Sequence, residues 1–307
     1  MPTPLPEHVP VLLSAVLDGL HLQPHQTVID ATLGGGGHAQ GMLDATAPDG
    51  RLLGIEADAR TLEATRTAMS DYGPRLVAVH DNFRDLRRIA NDNGFPSVDA
   101  ILFDLGLSSI ALADPTRGFS FQHDGPLDMR FNPSAQTLTA AEIVNARSAR
   151  ELADLFRMYG DEPLAERIAA RLVAMRRRAP FNSTVQLAAA ISAVKHRRGR
   201  IHPATQVFQA LRIAVNDEYG AISAALPPAL ELLKPNGRLA LITFHSGEDR
   251  LVKRWMKAAA AAGLAAIDTK HVITAPRAAQ RLNPRSRSAK LRILTKLTHH
   301  RHQKHNL

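Results

Sequence analysis

Short apolar runs alternate along this chain with longer stretches whose apolar residues recur at helical spacing. His8–Leu20 carries Val11, Leu12, Ala15, Val16 and Leu20 at that spacing and reads as a helix. Strand and helix then take turns. Thr27–Ile29 is a strand, His38–Leu43 a helix, Arg51–Ile55 a strand and Ala59–Met69 a helix. Leu76–His80 is a third strand, a helix follows near Phe83–Ala90, and Ala100–Phe103 is a fourth strand ending in Asp104. Short alternating units of this kind predict an α/β fold with a parallel, doubly wound sheet.

After Ser109 the rhythm breaks. ADPTRGFSFQHDGPLDMRFNPSAQT is punctuated by Gly and Pro and reads as loop. Arg150–Arg178 is helical, with Leu152, Leu155, Phe156 and Tyr159 on one face. Thr184–Lys195 is a further helix, capped by Ser183 or Thr184. The pattern predicts a helical insertion over 110–202, inside a discontinuous domain made of 1–109 and 203–307. Ala204–Leu226 reads as one long helix with the stripe Phe208, Leu211, Val215, Tyr219 and Ile222. A Pro-Asn-Gly turn leads into a strand, Arg238–Phe244, and His271–Thr274 and Leu291–Leu297 are the last strands. The His-rich tail THHRHQKHNL reads as disordered rather than as a metal site.

The first strand runs into four glycines in VIDATLGGGGHA, residues 28–39. A Gly-rich turn between a strand and its helix lets a ligand approach the backbone closely. Acids close the neighbouring strands: Asp30 after the first, Glu56 after the second, Asp81 after the third and Asp104 after the fourth. In a parallel sheet these ends share one edge, where such folds bind ligands. Gly34, Gly36 and Ala39 satisfy a loose G-x-G-x-x-A pattern for NAD. A carboxylate at Asp30 suits S-adenosylmethionine better, because that ligand carries an ammonium and a sulfonium but no pyrophosphate.

The composition narrows the function classes. A length of 307 residues with 45% hydrophobic and 22% charged residues is that of an ordinary globular protein. A net charge of +9 points to a polyanionic partner. The absence of Cys excludes disulfides, zinc ribbons, iron–sulfur clusters and thiol nucleophiles. No stretch approaches membrane-spanning length and the start lacks a secretory pattern, so a cytoplasmic protein is expected.

Eight stretches, in order along nearly the whole chain, resemble the bacterial RsmH (MraW) family of 16S ribosomal RNA cytosine-N4 methyltransferases. They are HVPVLL (8–13), DATLGGGGH (30–38), FDLGLSS (103–109), RGFSF (117–121) and DGPLDMR (124–130). HPATQVFQALRIAVNDE (202–218), GRLALITFHS (237–246) and NPRSRSAKLR (283–292) complete the set. The resemblance implies a Rossmann-like class I methyltransferase with an inserted helical substrate-recognition domain. Its substrate would be 16S RNA in the small ribosomal subunit, modified in the decoding region; a homodimer is compatible with it. It also implies S-adenosylmethionine contacts from Gly36, Gly37, His38, Glu56, Phe83 and Asp104. Three departures stand out: Glu56 where the family has Asp, Ile110-Ala111 in place of Pro-Gln, and Gly247 in place of Leu. The glutamine contact is therefore not carried over to Ala111.

Methylation of an exocyclic amine needs no cysteine adduct, which agrees with a Cys-free chain. The site must hold the amine in line and accept its hydrogen, and Asp104 is the candidate catalytic residue. Gln209, Arg212 and Asn216 share a helix face that either borders the target pocket or is solvated. Phe119, Phe121 and Arg130 either stack on bases or pack their own loop. Ser246 reads as a helix cap completed by Asp249. Arg176–Arg178, Lys195–Arg200 and Arg285–Lys290 are candidate phosphate contacts. Two other functions remain open on these residues: an NAD-dependent oxidoreductase, and a non-catalytic RNA-binding protein that senses S-adenosylmethionine.

Overall fold

The computed structural model describes residues 10–196 and 201–298. His8 and Val9, most of the basic run Lys195–Arg200 and nearly all of the His-rich tail lie outside them. The chain divides into two compact units, Met1–Gly106 with Ala221–Leu307, and Leu107–Gly220.

The first unit is built on an eight-stranded sheet. Its strands are β1 (Thr27–Asp30), β2 (Arg51–Glu56), β3 (Leu76–His80), β4 (Val98–Asp104), β5 (Leu233–Thr243), β6 (Ala265–Ile267), β7 (Ile273–Thr274) and β8 (Lys290–Lys296). The order is β3-β2-β1-β4-β5-β8-β6, with β7 paired to β8. Pairings among β1–β5 are parallel, and β8 is antiparallel to β5, β6 and β7. The expectation of a doubly wound parallel sheet holds for β1–β5, and the last strands form an antiparallel extension. Adjacent residues of each inner strand feed opposite cores. Ile29, Leu53, Ile101 and Leu241 lie in one core, and Val28, Leu52, Leu102 and Ala240 in the other. Burial on both faces is why these strands read as continuous apolar runs. β5 includes the Pro-Asn-Gly segment, but its pairing with β4 skips from Leu233 to Arg238. Asn236 sits there at φ 64°, where Asn is tolerated.

The sheet is covered by α1 (Leu13–Leu20), α2 (Gly37–Ala45), α3 (Ala59–Ala68) and α4 (Leu86–Asp92) from the first half of the chain. The second unit holds α5 (Ser109–Ala113), α6 (Ala140–Ala146), α7 (Ala149–Gly160), α8 (Ala165–Arg176), α9 (Thr184–Ser192) and α10 (Thr205–Asn216). Then α11 (Glu218–Leu232) leads into β5, and α12 (Ser246–Ala261) and α13 (Arg277–Leu282) follow.

Two long helices read from the sequence are each two helices. Asp161 at φ 48° separates α7 from α8, and Asp217 at φ 46° separates α10 from α11. An apolar stripe continues through such a break, because one left-handed residue redirects the axis without altering the hydrophobic pattern around it. The unit boundary also differs from 110–202. α10 belongs with the helical unit, because Val207, Phe208, Leu211 and Val215 are buried in its core. The sequence reading left out β6, a strand of three residues, too short to show a period.

Candidate functional site

The carboxyl ends of β1, β2 and β4 bring together the turn that contains the glycines and three acids. Asp30 closes β1 and is 1% exposed. Its Oδ1 accepts the Thr32 N–H at 3.1 Å, while Oδ2 is buried with no hydrogen-bond partner among the described residues. Burial pushes its pKa up to about 7, partly offset by Thr32.

Asp104 closes β4, two positions beyond the pairing of Asp30 with Leu102. Its N–H donates to Thr32 Oγ1 at 2.6 Å, so Thr32 touches both acids. Its Oδ1 is buried and unpartnered among the described residues. Burial and then the nearby Asp30 carboxylate push Asp104 up to about 7; Glu248 adds to the rise and Arg285 opposes it. His38, 6% exposed on the first turn of α2, places Nε2 3.7 Å from Asp104 Oδ2.

Glu56 performs a task that its motif position did not reveal. Its Oε2 accepts the Gly34 N–H at 3.0 Å and Oε1 the Asp58 N–H at 2.8 Å. It therefore braces the glycine turn against the end of β2. Thr65 completes the brace, its hydroxyl donating to the Gly34 carbonyl at 2.6 Å. Burial raises Glu56 to about 7, and the two amides pull it back down.

Gly36 caps α2 at φ 81°, a left-handed conformation that glycine takes without penalty, and no side chain caps the helix. A Cβ there would lie 2.4 Å from Met69 Sδ and 2.9 Å from Thr65 Cγ2. A Cβ on Gly37 would meet Pro10 Cγ at 2.4 Å. Close packing thus crowds both glycines. Phe83 is half-buried and meets Phe103 edge-on at 5.6 Å. Asp81 is turned to Arg88 at 2.6 Å, away from the carboxylate pair's role.

Several residues proposed for substrate contact have structural partners instead. Asn216 is 5% exposed and ties down the 129–136 loop. Its Oδ1 accepts from Phe131 N and Gln136 Nε2, and its Nδ2 donates to Met129 O. Arg212 forms a two-pronged pair with Glu218 at 2.7 and 2.9 Å, and Gln209 donates to Tyr159 O. Phe121 packs between His202 and Phe208, and Arg130 pairs with Asp128. Ala111 is buried in the helical core. The cap of α12 is His245, one residue earlier than Ser246, and Glu248 reaches back to the Phe244 N–H at 2.9 Å. Asp249 instead holds Arg292 at 2.9 Å and Lys290 at 3.3 Å. Of the run Arg285–Lys290, therefore, Lys290 is paired and the Arg285 guanidinium lies over the Phe244 ring, 6.0 Å from its centroid. Thr32 is a residue that spacing does not single out, whereas Arg285 stands in the sequence as a candidate phosphate contact. Thr32 could have been found from its place directly after the strand-end acid.

Among the described residues no helix is long and apolar enough to cross a membrane. Nor do three or more His, Asp or Glu side chains among them gather as a metal site.

The chain was compared with known proteins. It is 52% identical over 308 residues to the ribosomal RNA small subunit methyltransferase H of Thermomicrobium roseum, covering 95% of this chain and 94% of that one. The protein of the same name from Symbiobacterium thermophilum is 43% identical, covering 94% and 96%. Among solved structures, an rRNA methylase from Streptococcus thermophilus gives a TM-score of 0.44 at 11% identity, covering 95% of this chain and 99% of that one. Residues 6–297 match the MraW methylase family. The chain belongs to the MraW methylase family.

Proposed function

We propose that this protein is an S-adenosylmethionine-dependent methyltransferase that modifies N4 of a cytidine in the decoding region of 16S ribosomal RNA. It acts in the cytoplasm, on the small ribosomal subunit, with the helical unit recognising the RNA. The family membership and the names of its relatives support this reading. One observation carries the chemistry: Asp30 and Asp104, on neighbouring strands, each keep a buried carboxylate oxygen without a partner among the described residues.

The residues present fit the cofactor. Buried Asp30 and half-buried Asp104, both raised to about 7, suit a cation, and the α2 N-terminus offers N–H groups with no side-chain cap. Asp30, Asp104, Glu56, Phe83, His38 and the Gly36-Gly37 turn are the residues that would hold it. When bound, S-adenosylmethionine supplies a methyl group on a cationic sulfur. A dinucleotide suits the site less well, because its pyrophosphate would face the Asp30 carboxylate.

Asp104 accepts a hydrogen of the target amine. With S-adenosylmethionine bound, the methyl carbon would leave the cofactor's sulfur, which would keep the carbon–sulfur electron pair, while Asp104 would take this hydrogen as a proton. A carboxylate poised near neutrality is suited to receive it. Thr32 fixes the backbone that carries Asp104, and misplacement by about 1 Å can cost on the order of a hundredfold in rate.

The test is turnover of Asp104→Asn and Asp104→Ala on undermethylated small subunits, at saturating S-adenosylmethionine and RNA. Activity is expected in the order Asp, Asn, Ala, with Ala inactive. Mass spectrometry of 16S RNA from cells with and without the protein locates the modified base. A wild-type rate for Asp104→Ala removes the catalytic assignment.

A further inference from the structure

Helix α12 carries a row of cations that the candidate phosphate clusters of the sequence do not include. Its residues Glu248, Val252, Met256 and Ala259 are buried and mark the face turned to the protein. Arg250, Lys253, Arg254 and Lys257 occupy the opposite face, at i, i+3, i+4 and i+7, and all four are exposed. The row extends over about 10 Å of the helix axis.

Neighbouring acids leave this row uncompensated. In the first turn, Glu248 is buried and Asp249 is held by Arg292 at 2.9 Å and Lys290 at 3.3 Å. β6 packs against α12, and Asp268 after it is taken up by Arg238 at 3.6 Å and by the Thr295 hydroxyl at 2.7 Å. Among the described residues no acid lies within ion-pair distance of Lys253, Arg254 or Lys257. Beyond Lys257 the same face continues in exposed Ala258 and Ala261, which hold nothing away from it. The arginines of α4 behave differently. Arg88 meets Asp81 at 2.6 Å and Asp92 at 3.4 Å, and Arg87 pairs with Glu231.

Helix stability does not account for the row. Like charges three and four residues apart repel, and the macrodipole favours cations in the last turn, where α12 has none. A polyanion lying along the row removes that repulsion, and the net charge of +9 favours the same partner. The helix also starts at the right place. It follows β5, whose Ile242 pairs with Asp104, so its N-terminal end lies at the carboxyl edge of the sheet.

We propose that this face of α12 is a second RNA-binding surface, which holds the phosphate backbone of the substrate next to the sheet edge that carries Asp104. The inference rests on the RNA substrate proposed above. It gives the first unit an RNA contact of its own, besides the contact assigned to the helical unit.

The experiment is filter binding to undermethylated small subunits over about 50 to 200 mM salt at fixed magnesium. The variants are Lys253→Gln, Arg254→Gln, Lys257→Gln and their triple combination. The triple variant is expected to flatten the slope of log K against log salt by about 2 to 3, at roughly 0.7 to 0.9 for each lost contact. Its melting temperature and its affinity for S-adenosylmethionine should match wild type, because the side chains removed are exposed. Arg87→Gln with Arg88→Gln removes cations already matched by acids and should flatten the slope less per charge. An unmoved slope in the triple variant overturns the inference. So does an equal change per charge in the α4 variant, which would mark a diffuse effect of net charge. A benzophenone attached to Lys257→Cys, a unique thiol in a chain without Cys, identifies the partner. Crosslinks to 16S RNA are expected, and crosslinks confined to ribosomal protein overturn the inference. A wild-type protein that binds no small subunit refutes the proposed function first; wild-type binding with an unmoved triple-variant slope refutes the α12 surface alone.

Discussion

The Asp104 backbone N–H donates a 2.6 Å hydrogen bond to Thr32 Oγ1, which ties the end of β4 to the turn after β1. The same threonine gives its own N–H to Asp30. Thr32→Val keeps the shape and removes the acceptor, leaving a partly buried N–H unsatisfied. It should cost about 1–3 kcal/mol of stability and weaken S-adenosylmethionine binding. Thr32→Ser should behave as wild type. Thermal melting and calorimetry check both, and unchanged affinity in Thr32→Val would show that the tie does not position the acids.

The pH dependence has two opposite signs. In the free protein Asp30 and Asp104 have folded pKa values of about 7 against 3.8 for the ordinary group. The folded state holds the extra protons between those values. Their stabilising contribution is complete below about 3.8 and is lost as pH rises through 7. Asp30→Asn should therefore gain stability relative to wild type as pH rises from 4 to 8. Binding a cation requires the ionised acids, so affinity for S-adenosylmethionine should rise over the same range and level off above pH 7. With both acids at about 7, a Kd on the order of a hundredfold weaker at pH 6 than at pH 8 is expected; a flat profile would remove both acids from the cation's surroundings.

Gly36→Val should lower the melting temperature as well as abolish cofactor binding. The left-handed φ and the approach of Met69 and Thr65 leave no room for a side chain. A cost of about 1–3 kcal/mol is expected from strain and overpacking. Gly36→Ala should show the same effects to a smaller degree. A Gly36→Val protein that melts with wild type would contradict the turn described here.

RNA affinity should depend steeply on salt while affinity for S-adenosylmethionine does not. Arg167, Arg171 and Arg178 are exposed along α8 and the turn after it. Replacing each by Gln should flatten the slope of log K against log salt by roughly 0.7 to 0.9 per lost phosphate contact. Lys290 and Arg292, held by Asp249, should contribute less. Filter binding over a salt series measures the slopes, and identical slopes would identify the α8 stripe as a solvated face.

The β1–β4 strands, the helices between them and the interruption after Ser109 were legible because each inner strand is apolar on both faces and each helix on one. The strand-end acids were legible for the same reason: a charge that abruptly closes an apolar run can only stand at the sheet edge. The glycines marked the turn. Family resemblance added the identity of the chemistry, which periodicity alone left open between two cofactors.

The rest depended on contacts distant in sequence. Whether Asn216 faces a ligand or a loop turns on where residues 129–136 fold back, a separation of over eighty positions that no local pattern encodes. The breaks at Asp161 and Asp217 turn on single left-handed residues within unbroken apolar stripes. The sequence by itself determined which residues are apolar, where strands end in acids and where backbone freedom is concentrated. Only the tertiary structure decided which of the charges meet. It buried Asp30, left Asp104 half-buried on the neighbouring strand, made Glu56 a brace for Gly34 and laid Arg285 over the Phe244 ring. Periodicity is written in neighbouring residues, whereas burial and electrostatic coupling depend on how distant segments pack.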